Sequence, residues 1–432
     1  MMRWPPLLRL VGPILMAACL SSGVNADVVC IVDDESEAWQ ARLMLISAAE
    51  CEIDLAYYAM DGGQVSRSVV NALCTAADRG VTVRVLVDGW RNHLPTDVRR
   101  QLVDHGVDFR EFHPLGSLHP QWLNQRLHDK LLVVDYQYLL TGSRNLEDHH
   151  FGLRETNYID RDVFVCGCAA QAAHTYFMER WESDDVRPSR LRARVGVTVQ
   201  NWFDDRQAAK ERGQCCPSDG FACSPECEPC LRCVPVCFLS DFPYLRKRVR
   251  EGIETDINRL FESAQHEIII ESPYLVLSKN MREILLAARR RGVAVRMLTN
   301  SAASTDEKLA QAAYENDKRE LLRAGVELAE YPGPDHLHAK SAVVDGRFAL
   351  IGSYNFDARS EFTNSEVAVL IDDPCVATEL TESILIDAEQ AFVIGADGKP
   401  LGSKKRYPDA KAAKRVLIQA DRAIVPLLRR LL

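Results

Sequence analysis

Two histidine–lysine pairs are the side chains of this sequence best suited to chemistry. They lie in LHDKLLVVD at 127–135 and in LHAKSAVVD at 337–345. Both segments read H-x-K-x-x-x-x-D, and in both a G-S-x-N begins fourteen residues after the histidine (142−128 and 352−338). An imidazole that titrates near neutral pH, paired with a fixed ammonium group, suits attack on a phosphate. Each lysine is followed by a short apolar run typical of a buried strand, and residues two apart on a strand share a face.

A single short motif would be weak evidence, but two copies with G-S-x-N at the same offset are difficult to explain by chance. With these motifs the chain resembles the phospholipase D superfamily, and within it the bacterial cardiolipin synthases that carry two copies. The resemblance runs from about Asp33 to Asp373 and is interrupted by one insertion.

The segments around the motifs also repeat. In each half a helix ends at a glycine suited to a left-handed cap, Gly80 or Gly292, and a strand follows at once. The strand at 53–58 is echoed at 268–274, and His105-Gly106-Val107 is echoed by Ala324-Gly325-Val326. This alternation predicts a duplicated β-α-β-α-β unit and an α/β fold class.

The family resemblance implies two tandem phospholipase D-like α-β-α sandwich domains, related by a pseudo-two-fold axis and sharing one active site. We expect the first domain at 27–190 and the second at 242–395. A linker at 191–241 contains a Cys-rich insertion, and a basic amphipathic tail occupies 396–432.

Cleavage of a phosphodiester through a covalent intermediate needs a nucleophile, an acid for the leaving alkoxide, and donors around the phosphoryl oxygens. Neither half supplies all of these alone. The resemblance implies that His128 is the nucleophile, forming a phosphohistidine, and that His338 acts as acid and then as base. Because the motifs are symmetric, the sequence alone leaves the reverse assignment open. Phosphate neutralisation and hydrogen bonding would come from Lys130, Lys340, Asn145 and Asn355.

Further residues are expected to support this site. Ser143 and Ser353 are candidates for binding the same oxyanions. The resemblance also suggests a carboxylate behind each histidine: Glu366 in the second half and Asp162 in the first. The last motif residues, Asp135 and Asp345, follow four strand residues and are given a structural role. No metal or other cofactor is expected, since the lysine pair supplies the positive charge.

The N-terminus predicts an export signal. Arg3 and Arg9 precede a short apolar core, and Val24-Asn25-Ala26 has the small-residue pattern of a signal-peptidase site, so residues 1–26 would be removed. The core is too short to span a bilayer comfortably. A second interpretation takes Met16-Ala17-Ala18-Cys19 as a lipoprotein box with a lipid on Cys19. Either predicts a periplasmic or other extracytoplasmic, membrane-associated protein.

Cysteine usage agrees with an oxidising compartment. The chain has 14 cysteines, and thirteen remain if Cys19 leaves with the signal (14−1), so one thiol is left unexplained. Seven lie within the insertion at 215–237: Cys215, Cys216, Cys223, Cys227, Cys230, Cys233 and Cys237. Their density suits zinc or iron–sulfur ligation, but export favours disulfides. We interpret the insertion as a mini-domain or partner surface outside the chemistry.

Two other segments leave alternatives open. The first half has nine extra residues in the loop at 114–122. This loop either lines the site, with His119 and Trp122 near it, or is only a long connection. Between Lys404 and Arg430 there are nine basic and two acidic residues, and apolar residues recur among them at helical spacing. That pattern predicts contact with an anionic membrane surface, or else a packed terminal helix. Pro426 disfavours one long helix.

The expected function is phosphatidyl transfer of the cardiolipin synthase type, from a phospholipid to a lipid alcohol such as phosphatidylglycerol. The alternative within the same chemistry is a phospholipase D that transfers the group to water. A nuclease shares the motif, but the net charge of −9 and the lack of a basic groove signature argue against a nucleic acid partner. A non-catalytic adhesion module built around the insertion conflicts with the intact histidines, lysines and asparagines of both copies.

Overall fold

The computed structural model describes residues 26–114, 124–188, 232–241, 252–401, 410 and 412–428. Outside these ranges lie residues 1–25 of the predicted signal segment (with Cys19), the loop residues His119 and Trp122, and most of the Cys-rich insertion. The chain divides into two compact units. The first comprises residues 1–141, 145–153 and 162–238, and the second comprises 142–144, 154–161 and 239–432.

The first unit alternates strands and helices up to the first motif and is mostly strands after it. Its strands are β1 (Asp27–Val32), β2 (Glu52–Tyr57), β3 (Thr82–Asp88), β4 (Asp108–Phe112), β5 (Arg126–Leu127), β6 (Lys130–Val134), β7 (Tyr138–Gly142), β9 (Asp162–Cys166), β10 (Val186–Pro188) and β11 (Arg232–Val234). Its helices are α1 (Glu35–Ala48), α2 (Gln64–Asp78), α3 (Thr96–Asp104) and α4 (Cys168–Trp181), with a 3-10 turn at Asp148–Phe151.

A mixed sheet of nine strands forms the centre of this unit, in the order β10-β4-β3-β2-β6-β7-β9-β1-β11. Strands β2, β3 and β4 are parallel, as expected where helices cross between them. The motif strand β6 pairs antiparallel with both β2 and β7. Strand β6 therefore lies in the middle of the sheet and is buried along its whole length.

Helices cover both faces of the sheet. Ile53, Leu55 and Tyr57 of β2 point into a hydrophobic cluster shared with α1, α2 and α3. On the opposite face, Asp54 of β2 contacts His174 of α4, with 2.8 Å between Oδ2 and Nδ1. Because successive strand residues alternate faces, this arrangement is an α-β-α layered fold.

The second unit repeats this plan. Its strands are β8 (Tyr158–Ile159), β12 (Val236–Ser240, which begins before residue 239), β13 (Glu267–Glu271), β14 (Ala294–Asn300), β15 (Glu327–Tyr331), β16 (His336–Leu337), β17 (Ser341–Val344), β18 (Phe348–Gly352), β19 (Asn364–Ser365), β20 (Val367–Asp372) and β21 (Phe392–Ile394). Its helices are α5 (Ile253–Ser263), α6 (Lys279–Arg290), α7 (Lys308–Arg323), α8 (Ala358–Phe362), α9 (Pro374–Ala388) and α10 (Ala412–Leu428).

The strand order of the second sheet is β12-β20-β18-β17-β13-β14-β15-β21. The run β20-β18-β17-β13-β14-β15 matches β9-β7-β6-β2-β3-β4 strand for strand, and the central register is the same, with Ile53 opposite Val134 and Ile268 opposite Val344. The duplicated unit and the α/β class predicted from the sequence are therefore confirmed.

The second unit also contains a short piece of the first half of the sequence. Strand β8 pairs in parallel with β16, with Tyr158 opposite His336 and Ile159 opposite Leu337. The backbone amides of His338 and Ala339 both donate to the carbonyl of Ile159 at 2.8 Å. Residues 154–161 are thus held against the segment that carries the second motif.

The described part of the tail is a packed terminal helix, one of the two alternatives that the sequence left open. Helix α10 runs through Pro426 without ending there and packs against α7, with Ile418 and Val425 buried beside Ala312 and Ala313. Two of its basic side chains are used in this packing. Lys414 Nζ donates to the carbonyls of Ala303 and Thr305, and Arg422 Nε donates to Asn316 Oδ1 at 2.9 Å.

Two cysteines of the described chain, Cys51 and Cys233, are each part of a disulfide bond. Cys233 belongs to the Cys-rich insertion, for which disulfides were the favoured interpretation. Among the residues described, no helix combines the length and apolarity needed to cross a bilayer.

Candidate active site

The first motif begins just before the central strand β6. His128 precedes the strand and Lys130 is its first residue. The backbone of Leu127, directly before His128, is held by Asp88 at the end of β3, whose Oδ2 accepts from the Leu127 amide at 3.0 Å. Burial raises the pKa of Asp88, while hydrogen bonds from backbone amides partly oppose the shift. Asp88 belongs to neither motif and was not among the expected site residues.

Lys130 is 1% exposed, and its ammonium group is directed by close neighbours. Nζ donates to the carbonyl of His128 at 2.8 Å and lies 5.3 Å from the centroid of the Tyr58 ring. The same ring meets the imidazole of His128 edge to face at 4.7 Å. Tyr58 therefore fixes both side chains of the first motif through cation–π and ring contacts.

Asn145 of the first G-S-x-N is buried and lies against a histidine that the sequence analysis missed. Its Nδ2 is 3.2 Å from Nε2 of His150, which is fully buried on the 3-10 turn. Burial works against ionisation of the neighbouring Glu147, but a hydrogen bond and positive charge from His150 and the nearby His149 and His93 hold its pKa below the usual range.

The second motif is positioned in the same way. Asn300 at the end of β14 takes the place of Asp88. Its Oδ1 accepts from the Leu337 amide at 3.0 Å, and its Nδ2 donates to the Leu337 carbonyl at 2.7 Å. Lys340, 2% exposed, donates from Nζ to the carbonyl of His338. Each lysine is thus directed by the main chain of its own motif histidine.

His338 is held by a carboxylate from residues 154–161. Its Nδ1 lies 2.7 Å from Oδ1 of Asp160, which is buried. The ring of Tyr158 stacks on the imidazole at 4.9 Å and 15°. A carboxylate on Nδ1 fixes the tautomer that leaves Nε2 available for proton transfer and stabilises the protonated ring.

This partner differs from the expected one, Glu366. The carboxylate of Glu366 instead accepts from Ser353 Oγ at 2.5 Å and from Ser360 Oγ at 2.6 Å. The carboxylate on Nδ1 of His338 is therefore Asp160, which comes from the first half of the sequence.

Asp160 and Glu366 nevertheless occupy equivalent positions. Ser143 Oγ donates to Asp160 at 2.6 Å, as Ser353 Oγ donates to Glu366. The backbone amide of Ser143 donates to the carbonyl of Arg161, and that of Ser353 to Val367. Both serine hydroxyls donate their hydrogen bonds to carboxylates. They therefore position these carboxylates, whereas the sequence had suggested that they bind the phosphate.

Asp162 was the expected carboxylate of the first half, and its position is also different. It forms a buried salt bridge with Arg42, with 2.9 Å between Oδ2 and Nη2. Arg42 Nε also donates to the hydroxyl of Tyr57 at 3.1 Å. The structure therefore places Asp162 in an ion pair of the sheet interior, two residues beyond the position that carries the site carboxylate.

A buried cation anchors the segment that contains Asp160. The guanidinium of Arg161, 2% exposed, makes ion pairs with Glu271 at the end of β13 and with Asp387 of α9, and it contacts Ser341 Oγ at 3.2 Å. Burial raises the pKa of Glu271, and the charge of Arg161 opposes that shift. Arg161 thus fixes Asp160 to the sheet directly behind Lys340.

An acidic group lies on the far side of Tyr158. Asp306 accepts from the hydroxyls of Tyr158 at 3.0 Å and Tyr274 at 2.6 Å. Burial works against its ionisation, but the Tyr274 hydrogen bond and the charges of His338 and His336 hold its pKa below the usual range. The hydroxyl of Tyr158 is therefore fixed while its ring rests on His338.

The two motif aspartates have the same contacts in both units. Asp135 accepts from the backbone amides of residues 50–52 at 2.8–2.9 Å, and Asp345 from those of residues 265–267 at 2.7–2.9 Å. Both residues have positive φ, 51° and 54°. Each carboxylate thus ties the turn after the motif strand to the start of the neighbouring strand.

Both asparagines have one amide end without a hydrogen-bond partner among the described residues: Oδ1 of Asn145 and Oδ1 of Asn355 are buried and unsatisfied. A buried polar atom of this kind calls for a partner. Half a turn about χ2 exchanges the oxygen and the NH2 group of a carboxamide, so the same position can present a donor to a phosphate oxygen. Each unit therefore offers an imidazole, an ammonium group and an amide.

Comparison with known proteins agrees with this chemistry. A family model described as "Cardiolipin synthase, PLD-like domain" matches residues 43–181 and 257–386. Cardiolipin synthase C of Escherichia coli (strain K12) is 30% identical over 382 residues, covering 79% of this chain and 80% of that protein. Cardiolipin synthase A of Proteus mirabilis (strain HI4320) is 26% identical, covering 83% of this chain and 69% of that protein.

A solved structure shares the fold. The crystal structure of phosphatidylserine synthase from Haemophilus influenzae Rd KW20 matches with a TM-score of 0.66 at 15% identity, covering 98% of this chain and 99% of that one. The repeated motif with its buried lysines, the two-part family match and the 30% identity to a cardiolipin synthase show that the chain belongs to the cardiolipin synthase family of phospholipase D-like enzymes.

Proposed function

We propose that the protein transfers a phosphatidyl group from a phospholipid to a lipid alcohol, with phosphatidylglycerol as the acceptor. The observation that carries this proposal is the contact between His338 and Asp160, because it prepares an imidazole for proton transfer to and from an alcohol. The similarity to proteins named cardiolipin synthases supports a lipid substrate.

The proposed reaction has two steps. In the first, Nε2 of His128 attacks phosphorus, the bond to the leaving alkoxide breaks, and His338 gives its proton to that oxygen. In the second, neutral His338 takes the proton of the acceptor hydroxyl, whose oxygen attacks the phosphohistidine and releases His128. Charge on the phosphoryl oxygens is balanced by two ammonium and two amide groups: Lys130, Lys340, Asn145 and Asn355.

Asp160 acts through His338. Its carboxylate holds Nδ1–H, so Nε2 faces the substrate, and it stabilises the imidazolium form that protonates the leaving group. Transfer to water in the second step would make the enzyme a phospholipase D, and the same residues would act.

The experiment is product identification. Purified protein is incubated with labelled phosphatidylglycerol and, separately, with labelled phosphatidylethanolamine plus unlabelled phosphatidylglycerol. Labelled cardiolipin is the expected product, and a His338→Ala variant serves as the inactive control. Labelled phosphatidic acid alone would identify a hydrolase, and no conversion of either lipid would contradict the proposal.

We propose that the mature chain works outside the cytoplasm, after removal of residues 1–26 or with a lipid on Cys19. The disulfide bonds of Cys51 and Cys233 support an oxidising compartment. The intact mass of the mature protein recovered from cells distinguishes a chain starting at Asp27 from one starting at a lipidated Cys19. A full-length chain in the cytosolic fraction would contradict both.

Helix α10 supports contact with an anionic membrane. Val416, Leu417 and Ile424 are 68%, 46% and 45% exposed. At 3.6 residues per turn they span about 100° of the helix surface and lie about 80° or more away from the buried Ile418 and Val425. An exposed apolar stripe in a segment rich in lysine and arginine suits the surface of an anionic bilayer. We propose that this outer face inserts while the inner face stays packed.

The test is sedimentation with anionic vesicles. Changing the three exposed residues to serine should abolish binding while preserving the unfolding temperature, since none is buried. Leu385→Ser, at an equally exposed apolar position of α9, is the matched control. Equal loss of binding in the control, or none in the triple variant, would remove α10 from the membrane contact.

The Cys-rich insertion at 215–237 is proposed as a surface for another protein, outside the chemistry. Deleting residues 215–231 should then leave transfer on detergent-dispersed lipid intact. A loss of turnover with the fold preserved would show instead that the insertion serves the active site.

A further inference from the structure

The 3-10 turn beside Asn145 brings two histidines and a carboxylate together. Oε2 of Glu147 lies 3.6 Å from Nε2 of His149 and 3.7 Å from Nε2 of His150. The three ligand atoms all lie within 4.8 Å of one another. Around a tetrahedral zinc ion with bonds of about 2.0–2.1 Å, neighbouring ligand atoms are roughly 3.3 Å apart. The two distances from Glu147 Oε2 to the histidine nitrogens are within a few tenths of an ångström of that value.

The donor types and their surroundings also suit a metal. Nε2 of His150 lies 3.2 Å from Nδ2 of Asn145, so a metal bound to this nitrogen would take the place of the Asn145 contact. His150 is fully buried and fixed, whereas His149 is partly exposed, so its ring can adjust and its nitrogen can be reached from solvent. Two imidazoles and one carboxylate form a donor set preferred by zinc and related divalent transition metals.

A second carboxylate–histidine group in the same unit shows the contrast. Glu52, Asp54 and His174 also approach one another, but Arg84 forms ion pairs with both carboxylates at 3.0 and 2.5 Å. That guanidinium already neutralises the site and would repel a cation. The described ion pairs of Glu147, by contrast, are both with histidines. A neutral imidazole can bind a metal, which a guanidinium cannot.

We propose that Glu147, His149 and His150 bind a divalent transition metal of the zinc type, which fixes the turn carrying Asn145. The effect of the metal is on the stability of the first unit, because a ligand that binds only the folded state stabilises that state.

The experiment uses the full-length, oxidised protein after chelator treatment, titrated with Co²⁺ and with Zn²⁺. Cobalt bound by imidazole and carboxylate gives weak visible bands, whereas thiolate ligation adds an intense near-ultraviolet band, so binding by the Cys-rich insertion is distinguished. The variants are His149→Ala and Glu147→Gln. The matched control is His105→Ala, another solvent-accessible histidine next to a carboxylate, at 2.8 Å from Asp78.

We expect one cobalt ion per chain without the thiolate band, and a rise of roughly 5 °C in unfolding temperature with saturating zinc. Both should persist in His105→Ala. In His149→Ala and Glu147→Gln the affinity for the metal should fall at least about tenfold. Even the loss of a residue that only hydrogen-bonds a metal ligand costs that much. Absence of the visible bands in the unmodified protein, or equal affinity in His149→Ala and His105→Ala, would overturn the proposal. Neither measurement depends on lipid turnover, so the outcome is independent of the proposed function.

Discussion

Nδ1 of His338 lies 2.7 Å from Oδ1 of Asp160, a residue 178 positions earlier in the chain. We predict that Asp160→Asn lowers kcat at least about 10²-fold with little change in KM, because the amide cannot stabilise the imidazolium and can favour the wrong tautomer. Steady-state kinetics on dispersed lipid would measure both parameters, and the pH dependence of kcat should shift with the loss of the carboxylate.

The matched control is Asp162→Asn, two residues along the same segment. It breaks the buried pair with Arg42. It should therefore lower the unfolding temperature while leaving the shape of the pH–rate profile unchanged. An Asp160→Asn enzyme with unaltered kcat and pH profile would show that the contact with His338 is structural only.

His128→Ala and His338→Ala should each reduce turnover at least about 10²-fold, because the two proposed steps use both rings. Rapid quench of His338→Ala with labelled donor should trap phosphorus on His128. Label on His338 in the converse variant would reverse the assignment. Substantial activity in either single variant would contradict the two-histidine reaction.

Much of this site was readable from the sequence, for reasons specific to its residues. The motif strands were predictable because each lysine starts a run of buried apolar residues, and the backbone contacts of Asp135 and Asp345 recur at the same spacing in both copies. The helix–glycine–strand junctions at Gly80 and Gly292 have positive φ, as their position required.

The carboxylate of His338 was not predictable by counting from the motif. The serine lies 17 residues before Asp160 but 13 before Glu366 (160−143 and 366−353), so the equal spacing of the two copies does not extend to their carboxylates. A signal was present nonetheless, since Thr-Asn precedes both carboxylates, at 156–157 and at 363–364. Asp88 and Asn300 act through contacts with segments 39 and 37 residues away, which no local pattern reveals.

Replacing Arg161 by methionine should destabilise the protein by about 3–5 kcal/mol, because Glu271 would be left buried without its cation. Arg347→Met is the control, since its pair with Asp372 is exposed and such pairs contribute about 0–1 kcal/mol. Denaturant unfolding of both variants checks the difference. Equal, small effects would mean that the Arg161 cluster does not anchor its segment.

Asp357, the N-cap of α8, should make stability depend on pH. Burial raises its pKa from 3.8 to about 7, with hydrogen bonds from Ser360 opposing the shift and the charge of Glu366 adding to it. Between these values the folded state keeps a proton that the unfolded chain has lost, so the free energy of unfolding falls as pH rises from about 4 to 7. Asp357→Asn, which keeps the cap, should flatten this slope in denaturation curves. An unchanged slope would contradict the raised pKa.

Chelation should leave phosphatidyl transfer intact, because the lysines of the two motifs supply the positive charge. Turnover is measured before and after dialysis against EDTA, with the unfolding temperature recorded in parallel. The control is the dialysed protein with zinc restored. If turnover disappears on dialysis and returns with zinc, a metal takes part in the reaction and the proposed mechanism is wrong.

The second unit is assembled from three stretches of chain, two of which, 142–144 and 154–161, precede the Cys-rich insertion. Splitting the gene within the insertion would therefore not yield two autonomous domains. The downstream fragment would lack Asp160 and Arg161, leaving His338 without its carboxylate and Glu271 without its cation. An ancestral protein with a single repeat would have had to obtain these side chains from a second molecule. Fusion of two repeats in one polypeptide makes that exchange independent of protein concentration.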